Sequence, residues 1–137
     1  MRWIVAHQKD HNIQFVIPLG DLTNRNTPEQ WAVVQKAFHM LDGVVPYALV
    51  TGNHDYGHDG DTSSRDSGLN QVFPVSDWTK RPTFGGLYDP ERLDNTYHLF
   101  SAGGKDWLDH VRATARDHDR AVALLRTTAM LDMAPAP

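Results

Sequence analysis

Two short apolar runs each stop near a glycine and give way to polar, ligand-capable side chains, and a well-marked helix lies between them. Ile13-Gln14-Phe15-Val16-Ile17 is β-branched and aromatic, as a buried strand should be, and after Pro18 it opens into Gly20-Asp21-Leu22-Thr23-Asn24-Arg25. Val45 to Val50 reads as a second strand and ends in Thr51-Gly52-Asn53-His54-Asp55. Between them, Thr27 is placed to cap a helix, Pro28 to occupy its first turn and Gln30 to close a capping box. Trp31, Val34, Ala37, Phe38 and Leu41 then recur at helical spacing, and Gly43 supplies the stop. Strand, helix, strand over so short a span is a βαβ unit, which predicts a parallel sheet and an α/β fold. Both polar clusters then sit at the carboxyl ends of strands, where such folds build their sites.

The rest of the chain is less regular. Trp3 to Asp10 reads as the last turns of a helix with Trp3, Ile4 and His7 on one side. Thr51 to Ser67 is loop, Asp66 to Phe73 a short helix stopped by Pro74, and Pro82 to Pro90 irregular. Thr96 to Ser101 alternates as a strand, and Gly103-Gly104 turns the chain. From Asp109 onward alanine, arginine and aspartate dominate, and Val111, Ala115, Val122 and Leu125 can be placed on one helix. The division expected is a domain over 1–108 and an alanine- and arginine-rich tail over 109–137.

Composition narrows the function classes. A net charge of −4 gives no electrostatic reason to expect nucleic acid, whose phosphates need a basic face. No apolar run approaches the ~18 residues of a membrane span, and the N-terminus lacks the apolar stretch of a signal peptide. With no cysteine there is neither a disulfide framework nor a thiolate metal site, and the compartment stays open.

The two clusters share one chemistry. A carboxylate such as Asp21 can bridge two hard or borderline cations, and the Asn53 side-chain carbonyl is a neutral oxygen ligand. His54 can donate a proton to a leaving oxygen beside them. Two metals ~4 Å apart would clamp a phosphoryl group and supply a hydroxide nucleophile.

GDLTN followed in order by GNHD resembles the calcineurin-like metallophosphoesterase family, whose members carry D-x-H, then G-D-x-x, G-N-H-[DE], a lone His and G-H-x-H. The stretches IQFVIPLGDLTN and LDNTYHLFSAGGKDWL are similar to one bacterial branch of it, and the resemblance runs from about Trp3 to Leu108. It implies part of an αββα sandwich and hydrolysis of a phosphate mono- or diester with two divalent ions, Mn, Fe or Zn. It implies Asp21 as bridging ligand, Asn53 as ligand to the second metal and His54 as the phosphate-facing acid. Asn24 falls where some relatives carry a carboxylate that orients this histidine, and Arg25 where those same relatives carry a phosphate-contacting arginine, a position at which this branch varies. Asp55 closes the second motif as a supporting residue.

The departures set further expectations. No D-x-H precedes the first strand, since His7, Asp10 and His11 lie in a helix-like segment, and neither His110 nor His118 sits in a G-H-x-H frame. The chain thus reads as an internal fragment, lacking the family's first strand and C-terminal half, with little or no phosphatase activity. The tail reads as an altered reading frame or an unrelated end. Unpaired strand edges predict self-association. The alternatives are a non-catalytic remnant that binds metal or phosphate weakly, or an unstable truncation product. His58 is expected in a solvated loop, and His98 is expected to be packed or at the surface rather than a ligand. Trp31, Trp78 and Trp107 are expected in core or subdomain packing, and Asp59, Asp61 and Asp66 on a solvated face. DYGHDGD does not have calcium-loop spacing.

Overall fold

A computed structural model describes residues 1–112 and 126–129 of the chain. The expected placement of Ala115, His118, Val122 and Leu125 lies outside the described residues. Helix α1 spans Arg2–His7 and α2 spans Pro28–Phe38, which a 3-10 turn at His39–Leu41 extends. A second 3-10 turn covers Asn53–Asp55, followed by the short helices α3, Leu69–Val72, and α4, Val75–Trp78. Strands β1, Phe84–Leu87, β2, Asn95–Ala102, β3, Lys105–Arg112, and β4, Arg126–Ala129, form one antiparallel sheet in the order β1-β2-β3-β4. Among the described residues no helix is long and apolar enough to cross a membrane.

The fold is mixed helix and sheet, but the parallel pairing expected of the βαβ unit is reduced to one bridge, Val16 with Tyr47. The Val16 N–H donates to the Pro46 carbonyl, and the Ala48 N–H to the Val16 carbonyl, both at 3.0 Å. The next rungs would need N–H groups from residue 18 on one side and residue 46 on the other. Both are prolines, so the ladder cannot lengthen in either direction. The second run still alternates as a strand does: Val45, Tyr47 and Leu49 enter one cluster, and Ala48 and Val50 the other.

Helix α2 begins as its sequence dictates. The Thr27 hydroxyl accepts the Gln30 N–H at 3.4 Å, and Pro28 needs no donor in the first turn. The capping box itself is not made: Gln30 Oε1 accepts the N–H groups of Asn24 (3.2 Å) and Arg25 (2.8 Å), so it serves the preceding loop. The helix buries Trp31, Val34 and Phe38 against Tyr47, Leu69, Phe73 and Trp78. Each large apolar side chain so buried contributes about 1.5–3 kcal/mol. Arg81 lies over the rings of Tyr47 and Trp78 and donates to Asp42, which tethers α4 to the chain beyond α2.

The sheet is organised by its central hairpin. β2 and β3 pair from Asn95↔Arg112 to Ala102↔Lys105, and Gly103 and Gly104 turn between them at φ +60° and +72°. Two successive left-handed residues make the hairpin turn whose twist suits the strands. β3 runs through residue 108, and Val111 packs with Ala48, Val50 and Phe15. This corrects the helical placement of Val111: its alternation on a strand carries it to the second run. Trp31 and Trp78 are buried in the core, Trp107 is only half-buried and donates its indole N–H to the Ala102 carbonyl, and His98 is packed rather than at the surface.

Candidate functional site

The two polar clusters meet because their glycines interlock. Gly20 has φ +90°, and a Cβ there would lie 2.9 Å from the Gly52 nitrogen. A Cβ on Gly52 would strike the carboxylate and amide of Asp21. Only glycine permits this approach. Asp21, itself left-handed at φ +48°, then points its Oδ1 at the His54 N–H, 3.1 Å away.

Beneath this contact Asp55 holds both clusters at once. Fully buried, its carboxylate accepts the N–H groups of Leu22 (3.0 Å), Thr23 (2.7 Å) and Gly52 (2.9 Å) and the Thr23 hydroxyl (2.8 Å). Burial pushes the Asp55 carboxyl up from its ordinary range, while the donors of Gly52, Thr23 and Leu22 pull it down. The neighbouring layer is also polar. Thr51 and Tyr56 share a 2.6 Å hydrogen bond, Tyr56 donates to Asp94 (2.9 Å), and Arg92 donates to the same Asp94 oxygen at 2.6 Å. Burial, reinforced by the Asp94 charge, raises the Tyr56 hydroxyl, so it stays a donor at ordinary pH.

His54 is oriented from the first cluster. Its Nδ1–H donates to the Asn24 carbonyl at 3.0 Å, so the neutral ring has its lone pair on Nε2. Asn24 therefore touches His54 through its main chain. The Arg25 Nε lies 3.4 Å from Asp59 Oδ1 in an exposed pair. Asn53 occupies the first position of the 3-10 turn, between Gly52 and His54. His58 and Asp59 lie exposed in the following loop.

Sequence reasoning missed Thr23 and Asn26. Thr23 is buried and serves Asp55. Asn26, left-handed at φ +53°, donates from Nδ2 to the carbonyls of Gly57 (3.0 Å) and Asp66 (3.1 Å). Its Oδ1 accepts the Trp31 indole N–H (2.6 Å) and the Gly68 N–H (3.0 Å). The Gly57 N–H donates to the Asp66 carbonyl at 2.8 Å, closing the 57–66 loop at its base. An asparagine directly before a threonine cap, in a loop that must turn sharply, was the available signal. A cavity of about 370 Å3 lined by Asn26, Trp31, Asp66 and Arg92 opens beside this loop rather than over Asp21 and His54.

Asp21 and Asn53 supply two oxygen donors of the kind a hard or borderline cation takes. Among the described residues no group of three His, Cys, Asp or Glu is placed to hold a metal.

Residues 1–131 match the family model for calcineurin-like phosphoesterases, and the chain belongs to that family. The family is generally dependent on divalent metals and acts on phosphoesters. The chain is 33% identical over 108 residues to Uncharacterized protein YvnB of Bacillus subtilis (strain 168). That match covers 77% of this chain and 8% of the relative, so the chain spans a small part of that protein. No solved structure matches.

Proposed function

We propose that Asp21, Asn53 and His54 form the phosphate-facing part of a centre that hydrolyses phosphate mono- or diesters. The observation that carries this reading is the 3.1 Å hydrogen bond from the His54 N–H to the Asp21 carboxylate, which brings the two motif loops to one point. His54 is oriented by Asn24, so its Nε2, once protonated, can give a proton to a leaving oxygen. Asp21 and Asn53 are the metal ligands of this reading, Asp55 holds the two loops in register, and Arg25 is the phosphate contact once released from Asp59. A bound divalent pair would supply Lewis acidity and the nucleophile. Two protein oxygens hold a cation poorly against water, so this chain alone is expected to bind metal weakly and turn over little.

Two measurements test this. With manganese at millimolar concentration, paramagnetic broadening in an amide NMR spectrum should centre on Asp21, Asn53 and His54 and vanish in Asp21→Asn. Broadening centred elsewhere overturns the site. Hydrolysis of para-nitrophenyl phosphate or its bis-ester should show no manganese-dependent rate above that of Asp21→Asn. A manganese-stimulated rate lost in that variant would mean that the chain carries a complete centre.

A further inference from the structure

The α1 end of the molecule carries an aromatic and imidazole cluster that the phosphoester site does not use. Trp3, His7 and His11 recur every fourth residue, and the His11 N–H donates to the His7 carbonyl at 3.0 Å, so the helical spacing persists to His11. Residues four apart on a helix share one face. The three rings pack together: Trp3 stacks on His7 at 4.5 Å and 18°, and His11 is tilted against Trp3 at 5.2 Å and against His7 at 5.8 Å. Trp3 is 57% exposed and His11 is exposed, so water and ions reach the cluster.

The His7 ring is held in one tautomer. Its Nδ1 lies 2.8 Å from the Trp3 carbonyl. A carbonyl only accepts, so Nδ1 carries the hydrogen and the neutral ring presents its lone pair from Nε2. Metal-binding histidines are commonly fixed in this way, the other ring nitrogen donating to a backbone carbonyl. With a cation about 2 Å from each nitrogen, two imidazoles that share it at adjacent tetragonal or tetrahedral positions have ring centres roughly 4.5–5.2 Å apart. The observed 5.8 Å is within a small side-chain rotation of that spacing.

We propose that His7 and His11 form a two-imidazole chelate for a borderline divalent transition metal, with Trp3 packed against it. Imidazole selects copper, nickel and zinc over magnesium and calcium, and among these copper binds tightest. Two protein ligands leave the remaining positions to water or to a ligand from elsewhere. The chelate uses no residue of the phosphoester site, so either reading stands if the other fails.

The test is a titration of the full chain with copper(II) chloride and, separately, zinc chloride, followed by calorimetry and tryptophan fluorescence. Copper should bind at one site, at least ten-fold tighter than zinc, and quench part of the fluorescence, while magnesium should give no signal. His7→Gln and His11→Asn, both surface changes, should each weaken copper at least ten-fold. Trp3→Phe should keep the calorimetric affinity and lose the quench. Asp21→Asn should leave both readouts unchanged. Copper affinity unaffected by either histidine substitution, or abolished by Asp21→Asn, would overturn the proposal.

Discussion

Asp55 is the residue on which the two motifs depend. It takes four hydrogen bonds from both polar loops while itself shut away from solvent. In the sequence it is only the last letter of GNHD, and nothing in that spelling reveals its burial. Spacing shows which residues follow a strand; it does not show which of them turns inward to bind the neighbouring loop. Asp21 and His54 stand out in the sequence because their side chains have ligand chemistry, whereas Thr23, which hydrogen-bonds Asp55 in the same arrangement, has no such mark. Replacing Asp55 by alanine strands several buried donors and should cost about 3 kcal/mol or more. Urea unfolding of Asp55→Ala against the parent measures it, and a loss under about 1 kcal/mol would show that water replaces the carboxylate readily.

Elements were readable where their signals are local. Helix α2 starts where Thr27 and Pro28 place it, because a cap and a first-turn proline act within a few residues. Thr27→Ala should lower stability by about 1 kcal/mol, seen as a reduced urea midpoint at unchanged slope. The β2–β3 hairpin was half legible: Gly103-Gly104 announced the turn, but the returning strand ran into a compositional change that hid it. The parallel pair was misjudged in extent for a different reason. Apolar alternation reports burial, and Tyr47 and Ala48 are indeed buried, but ladder length depends on N–H groups at particular rungs. Pro18 and Pro46 remove those rungs, a consequence visible only once the register is known.

At the scale of the whole molecule, His98 makes stability a function of pH. It is 1% exposed, ringed by Phe15, Trp78 and Phe84, and its Nε2 lies 3.1 Å from the Thr96 hydroxyl. Burial, with the Arg81 charge assisting, lowers its pKa from the ordinary 6.5 to about 4. The unfolded chain therefore binds a proton that the folded chain refuses between those values. The neutral ring's contribution is complete above the unfolded value and is lost as pH falls from 6.5 through about 4. The loss should amount to about 3 kcal/mol, and His98→Leu should remove that component from the pH profile of the urea midpoint. A parent and variant with parallel profiles would show that another group carries the slope. The closure of the 57–66 loop by Asn26 has a different consequence, one of evolvability. Because both ends of the loop are fastened to the same amide, its length is uncoupled from the scaffold, and the interior of the loop becomes a place to graft new recognition surface. Six residues inserted between Ser63 and Ser64 should cost under about 1 kcal/mol in a thermal or urea melt, since closure entropy grows only slowly with length.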